Sequence, residues 1–394
     1  MRLLLNSAVK HTAVVFAMLL AVASVTAVQA QVTTAVRGTV VNQQQQPVAG
    51  ASVRITHTPS GTVSLATSSE SGVFSARGLR VGGPYSVKIS GDGFPAVQVD
   101  DLYLALDRTL DLPVTVQVDN AIEEIVVTAT RNSVGYTNEG LGTDLGIEAL
   151  EEVVSIDRDI TDAAAQNPFA IVNVQSGGAK ELSIAGANNR FNSLTIDGVA
   201  LNDRFGLNAN GYPTQRSPIS YDAIASLSIQ TAPFDVEYNG FTGGTINAVT
   251  KSGTNEFKGS IAYYSTDDSL VGDKNKDRDF DFTFEDETVV ATLGGPIIQD
   301  KLFFFVAYDK YEETAPLRDG PAGSGALNVE ENITLDDVAE VRQIVSDVWG
   351  FDIGGFTKSP AEDEKILANI DWNISDNHRA KFTYINTEGN TIRE

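Results

Sequence analysis

The 394-residue sequence contains no cysteine and only three histidines. The first absence excludes disulfide staples and thiolate metal sites, so stability has to come from burial and strand pairing. The second leaves His57 and His378 once residues 1–30 are set aside, and neither lies in a nucleophile or zinc motif. A phosphate-binding loop of the form GxxxxGK followed by Ser or Thr is also missing. Catalysis is therefore not expected, and no cofactor or metal is implied. Basic residues are scarce, 28 Lys and Arg against 52 Asp and Glu. Such an excess of negative charge repels a phosphate backbone and excludes nucleic acid as a partner. Long apolar runs are missing as well: the longest, residues 13–25, falls short of the roughly 20 residues that a membrane-spanning helix needs.

That short run has its own meaning. Arg2 and Lys10 precede it and the small-residue site Val28-Gln29-Ala30 follows, the pattern of a secretory signal peptide. Its removal takes away two of the 28 basic residues and none of the acidic ones, so the mature chain is more acidic still. With no cysteine after the cleavage site, lipid anchoring through a thiol is excluded.

From residue 35 to 116 the pattern is short alternating runs at 36–41, 51–56, 63–67, 73–77 and 85–89, broken by Gln-Pro, Pro-Ser-Gly, Ser-Gly and Gly-Gly-Pro turns. Strands at this spacing predict an antiparallel β-sandwich. Tyr85 and Phe94 are assigned to its core, which leaves no exposed aromatic platform for a sugar. Residues 122–131, IEEIVVTATR, form a Pro-free, β-prone stretch. An extended segment of this kind offers its main chain to a partner's sheet edge, with Ile125, Val126 and Val127 filling alternating pockets. Taken by itself it reads as an ordinary edge strand. Residues 135–255 then shift to Gly, Asn and small side chains, with a helical piece at 160–165 and strands at 182–184 and 194–196, an α+β domain.

After Phe257 a hairpin rhythm sets in, with strands expected near residues 257–264, 288–293, 302–308, 365–372 and 379–385. Ile366, Ala368, Ile370 and Trp372 share one face; Lys365, Asn369 and Asp371 share the other with Leu367. Ala380, Phe382 and Tyr384 likewise oppose Arg379, Lys381 and Thr383. A soluble sandwich shows the same alternation. Loop lengths separate the two readings, because short connections at 294–301 and 375–378 alternate with long ones at 266–286 and 312–364. Short turns on one side and long loops on the other are the signature of an antiparallel transmembrane β-barrel. Barrels that hold a plug use about 22 strands, so a chain with five expected strands that stops at Glu394 reads as a fragment.

Two loops carry lesser signals. The segment 273–279, DKNKDRD, begins like a calcium loop, but Arg278 stands where the turn needs Gly and Phe284 where a bidentate Glu is needed. It reads as a solvated loop. Thr334 and the acids after it cap a helix whose Val338, Val341, Val345 and Val348 recur at helical spacing. That helix is expected to pack over the barrel mouth.

Several phrases resemble known families. Gly38-Thr-Val, Pro47-Val-Ala-Gly-Ala-Ser-Val53, Gly72-Val-Phe74, Leu79 and Gly82-Gly-Pro-Tyr-Ser-Val87 resemble the carboxypeptidase-regulatory-like domain, a non-catalytic module with a carbohydrate-binding-like, immunoglobulin- or prealbumin-like sandwich fold. Leu182-Ser-Ile-Ala-Gly186, Leu194-Thr-Ile-Asp-Gly-Val-Ala-Leu-Asn-Asp203 and Gly243-Gly-Thr-Ile-Asn-Ala-Val-Thr-Lys251 resemble the plug of TonB-dependent outer-membrane transporters. Residues 234–253 are most similar to the Oar-like branch. Ala185 stands where that family carries Arg and Ala200 where it carries Pro, so a plug-to-wall ion latch at Ala185 does not transfer.

The resemblance implies a mainly β chain divided into a signal peptide (1–30), a regulatory-like sandwich (31–119), a TonB box with linker (120–135), a plug (136–255) and the first barrel strands with their extracellular loops (256–394). Glu123, Glu124, Ile125, Val126, Val127, Thr128, Ala129 and Thr130 would be the TonB-coupling residues. Asn202, Asp203, Arg204, Asn208, Asn210 and Tyr212 would contact substrate. The implied protein sits in the outer membrane of a Gram-negative cell with its N-terminal domain in the periplasm. Its implied partners are the periplasmic domain of TonB, energised by the inner-membrane proton gradient, an extracellular substrate and outer-membrane lipid. Two other readings stay open: a non-transport adhesion or surface-assembly protein of the outer membrane, and a secreted carbohydrate-binding protein built on the sandwich.

Overall fold

The computed structural model describes residues 33–106, 108–117, 125–127, 135–136, 141–155, 158–174, 180–214, 216–233, 240–270, 274–275, 278–279, 284–315, 319–324, 326, 328–354, 359–375 and 378–391. The expected signal peptide, and residues 273, 276 and 277 of the acidic loop at 273–279, lie outside the described residues.

The first structural layer pair is built from β1 (Thr34–Asn42), β2 (Ser52–His57), β3 (Thr62–Thr67), β4 (Val73–Leu79), β5 (Gly82–Gly91), β6 (Phe94–Leu104) and β7 (Thr109–Val116). One sheet runs β3-β2-β5-β6 and the other β4-β1-β7. Every second side chain points inward, so Val53, Ile55, Phe74, Val87, Ile89, Val97, Val99, Leu110 and Leu112 interdigitate in one buried cluster. Tyr85 is buried with its hydroxyl donating to the Arg80 carbonyl at 2.8 Å, and Phe94 packs half-buried at the margin of the cluster. The expected sandwich is present with one difference. β1 and β7 pair in parallel, from Ala35 with Thr109 to Asn42 with Val116, so the sandwich is not wholly antiparallel. The chain crosses between sheets from β6 to β7, and that crossing lets the last strand run alongside the first in the same direction.

The chain then passes through β8 (Ile125–Val127) and β9 (Gly135–Tyr136) into a second layer. This contains β10 (Gly142–Gly146), α1 (Ile147–Glu152), α2 (Ile160–Ala164), β11 (Ala170–Val174), β12 (Lys180–Ile184), β13 (Ser193–Ile196), β14 (Val199–Ala200), β15 (Ile224–Gln230) and β16 (Thr245–Thr250). The main sheet has the order β10-β15-β16-β13-β14, with β13 and β16 parallel, while β11 and β12 pair separately. The Asp159 carboxylate caps α2 by accepting from the Thr161 amide at 2.8 Å. Between β13 and β14 the chain reverses at Asp197 and Gly198, whose φ angles are 46° and 75°, the left-handed region that Gly enters freely and Asp tolerates.

The third layer is a five-stranded antiparallel sheet in chain order: β17 (Lys258–Asp267), β20 (Glu285–Ile298), β21 (Leu302–Ala315), β24 (Ser359–Ser375) and β25 (His378–Thr391). The short strands β18 (Lys274–Asn275), β19 (Arg278–Asp279), β22 (Asp319–Ala322) and β23 (Asn328–Thr334) decorate its long connections. The strands run further than the sequence pattern suggested, chiefly at their long-loop ends, where Glu285, Glu287, Glu312, Glu362 and Glu364 continue the ladder in polar surroundings.

The sheet packs one face against the second layer and its burial is inverted. On β24, Asp363, Lys365, Leu367, Asn369, Asp371 and Asn373 are buried, while Ile366, Ile370, Trp372 and Ile374 are exposed. Phe382 and Tyr384 on β25 and Ile261 on β17 are exposed as well. The core of the second layer extends onto the inner face of this wall through Phe305, Ala307 and Leu367.

Between β23 and β24 lies α3 (Leu335–Trp349). Its capping box is complete: the Thr334 hydroxyl accepts from the Asp337 amide at 3.2 Å, and the Asp337 carboxylate accepts from the Thr334 amide at 2.8 Å. Among the described residues it buries no side chain against another element, and the five strands form no closed mouth against which its expected place is tested. No residue of α3 is buried, and Val341, Ile344, Val348 and Trp349 are exposed. Local capping settles the helix, while packing needs a neighbour that the described residues do not supply.

Candidate functional site

Of the coupling segment expected at 123–130, Ile125, Val126 and Val127 are described as β8; Glu123, Glu124, Thr128, Ala129 and Thr130 lie outside the described residues. β8 extends the first sheet of the sandwich by pairing in parallel with β6: Val97 with Ile125, Gln98 with Val126 and Val99 with Val127. Ten residues on, β9 extends the other sheet by pairing with β7, Leu110 with Tyr136 and Asp111 with Gly135. Arg108, immediately before β7, pairs with Asp144 of β10 and donates to the Gly142 carbonyl at 3.4 Å. The described pieces of the route from sandwich to second layer are thus each fastened. β10 itself is an edge strand of the second-layer sheet.

The sandwich is also fixed to the short-turn end of the wall. Arg80 lies 3.7 Å from the Asp371 carboxylate and donates to Asn373 at 3.3 Å. Asn373 donates to the Thr62 hydroxyl at 2.9 Å, and Arg379 to the Gly78 carbonyl at 2.6 Å.

Between the second layer and the wall runs a polar seam. The Asp197 carboxylate, held out by its left-handed turn, meets Lys381 of β25 at 2.9 Å and accepts from the Thr383 hydroxyl at 2.9 Å and the Thr250 hydroxyl at 2.6 Å. Burial alone would raise the carboxyl, but Lys381 and the Thr250 hydrogen bonds outweigh it and hold the group below the usual carboxylate range. Asn369 donates to the Thr250 hydroxyl at 2.6 Å and to the Lys251 carbonyl at 2.8 Å. Nearer the long loops, the Arg216 guanidinium lies 3.7 Å over the Tyr311 ring, and Thr387 donates to the Pro218 carbonyl at 2.8 Å. Arg158 lies 5.4 Å over the Tyr264 ring and pairs with Asp222.

The family's latch position, Ala185, has no charge to offer, and Arg190 donates to the Asn208 carbonyl at 3.3 Å within its own layer. Asp197 supplies a latch of opposite polarity, an acid on the inner domain and a base on the wall. In the sequence Asp197 stands only as part of the plug-like phrase at 194–203. The available signal was Lys381, a base on the inward parity of a wall strand.

The six residues expected to touch substrate form one loop near the long-loop end. Asp203 accepts from the amides of Asn208 at 2.8 Å and of Phe205 and Gly206 at 3.0 Å each, and these bonds hold its carboxyl below the ordinary range. Asn202 ties the loop to the sheet, accepting from the Leu194 amide at 3.1 Å and donating to the Asn192 carbonyl at 2.8 Å. Asn208 donates to the Tyr212 carbonyl at 3.0 Å and Asn210 to the Thr214 carbonyl at 2.9 Å; Asn208, Asn210 and Tyr212 are buried. The exposed residues of the loop are Arg204, Phe205, Leu207 and Ala209.

Family comparisons fit this geometry. Residues 35–119 match the carboxypeptidase regulatory-like domain, 148–245 the TonB-dependent receptor plug domain, and 249–318 an outer membrane beta barrel domain. The chain is 29% identical over 259 residues to the TonB-dependent transporter Oar of Myxococcus xanthus, covering 60% of this chain and 23% of that protein. It is 26% identical over 209 residues to a probable TonB-dependent siderophore receptor, PirA, of Acinetobacter baumannii, covering 49% and 25%. Among solved structures it is similar to the outer membrane transporter YddB of Escherichia coli, with a TM-score of 0.47, 13% identity, and coverage of 64% of this chain and 33% of that one. The chain spans about a quarter of the length of the curated relatives it matches. Its second layer thus matches a receptor plug and the first three strands of its wall an outer-membrane β-barrel domain, which places the protein in the outer membrane.

Proposed function

We propose that these residues work in a TonB-dependent outer-membrane receptor that binds an extracellular substrate and admits it to the periplasm when TonB moves the plug. The observation that carries this reading is the inverted burial of the wall: apolar residues face outward as lipid requires, and a charged inner face is filled by a matched plug domain. A filled lumen blocks diffusion, so opening needs force applied from the side where the sandwich sits. The Asp197 seam suits that task, because polar contacts of defined geometry hold the plug at rest and release under load.

The short-turn end of the wall, with the sandwich beneath it, faces the periplasm; the long loops and the tip at Phe205 and Leu207 face outward. The domain division follows: signal peptide 1–30, sandwich 31–119, coupling box and linker 120–135, plug 136–255, and barrel from 256. TonB pairs its own strand with residues 123–130, and the loop at 202–212 contributes to substrate contact through its exposed members. The reading assigns no catalysis to the chain. A Val126→Pro variant tests it, because Pro removes a main-chain donor and restricts the strand. Loss of binding to the periplasmic domain of TonB, and loss of uptake with normal assembly in the outer membrane, is expected; undiminished coupling refutes the assignment.

A further inference from the structure

The coupling strand is already paired. A main-chain ladder from Val97–Val99 of β6 to Ile125–Val127 occupies one of the two edges through which β8 can bond another strand. β8 is the outermost strand of a five-stranded sheet, the order being β3-β2-β5-β6-β8. We propose that the sandwich is the holder of the coupling strand: β6 takes the backbone edge that TonB's strand would use, so that TonB engages only after β8 leaves β6. This inference rests on the reading of β8 as the coupling strand and gives the sandwich a function of its own.

Three features support it. The attachment is three residues long and parallel, which is the weaker mode of strand pairing, so it is reversible. The holder does not drift, because Arg80, Thr62 and Gly78 fix it to Asp371, Asn373 and Arg379 at the wall's short-turn end. The segments after β8 are fastened in chain order, β9 to β7, Arg108 to Asp144 and then β10 to β15. Load applied at β8 after its release therefore reaches β10, the plug edge, only once β9 has parted from β7, and there the Arg108–Asp144 pair bears it together with the β10–β15 ladder. The sandwich sets both when the strand becomes available and how far it must be drawn before the plug responds.

The absence of native cysteine makes the test clean. Gln98 and Val126 are register partners, and neighbouring strands about 4.8 Å apart lie within disulfide reach. The full-length receptor carrying Gln98→Cys with Val126→Cys should crosslink under mild oxidation. The oxidised form should bind the purified periplasmic domain of TonB at least tenfold more weakly than the same protein after reduction, which should match wild type. In the unsubstituted receptor, the amides within residues 125–127 that point toward β6 should be protected from hydrogen exchange at rest. Failure to crosslink together with unprotected amides overturns the proposal. So does equal TonB binding by the oxidised form, the result expected if TonB adds to the outer edge of β8. If wild type never binds TonB, the coupling reading falls and takes this proposal with it. That failure is told apart because crosslinking and amide protection report the β6–β8 pairing without TonB.

Discussion

Two strands of this molecule alternate with the same period and bury opposite halves of their residues. On β5 of the sandwich, Tyr85, Val87 and Ile89 are buried and the residues between them are more open. On β24 of the wall, Asp363, Lys365, Asn369 and Asp371 are buried, while Ile366 is 39%, Ile370 37% and Trp372 50% exposed. Period-two patterning tells which residues share a face and is silent on which face is covered. The covering is decided by the surroundings: water outside a hydrocarbon core for the sandwich, lipid outside a polar plug for the wall.

That contrast can be broken from each side. Phe74→Ala empties the centre of the sandwich, where Phe74 is among the largest fully buried side chains, and should cost about 3–5 kcal/mol. A lower denaturant midpoint for sandwich signals, with the wall unaffected, is the expected result. Ile370→Lys places a charge on the face turned away from the plug and should cost about 2–4 kcal/mol in a bilayer. Assembly into outer-membrane vesicles should fall while sandwich stability is unchanged; a neutral effect would put that face in water.

Asp197→Asn sharpens the comparison at the seam. It leaves Lys381 without its charge partner and should loosen the plug by about 1–3 kcal/mol, seen as faster amide exchange over residues 193–200. Acid should act in the same direction. The folded pKa of Asp197 is depressed, so its contribution is complete above the ordinary carboxylate value near 3.8 and is lost as pH falls through the lowered value. The Asn variant should lack that component of the acid response.

Much of this architecture was legible because local chemistry and tertiary packing agree. Turn residues marked the sandwich strands through β5, inward and outward parity on β24 followed the alternation of Ile366, Ala368, Ile370 and Trp372, and Thr334 announced α3 through its cap. β6 and β7 escaped because FPAVQVDDLYL and TLDLPVTV carry acids and Pro inside strands, and pairing with β5 and β1 overrides those weak propensities. The seam escaped for a different reason. Asp197, Lys381 and Thr383 are more than 180 residues apart in places, and their meeting depends on where the plug sits inside the wall. Parallel pairing of β8 with β6 is likewise a long-range event that a three-residue strand does not encode.

The central claim is that the five strands after residue 256 form a membrane wall around the plug. Single cysteines, in a chain that has none, placed one at a time from Lys365 to Trp372 in the full-length protein test it through labelling in intact outer membranes. Positions 366, 368, 370 and 372 should react with a lipid-partitioned probe, while 365, 367, 369 and 371 stay protected from it. If the even-numbered positions react instead with a water-soluble, membrane-impermeant reagent, the wall is not in lipid and the account fails.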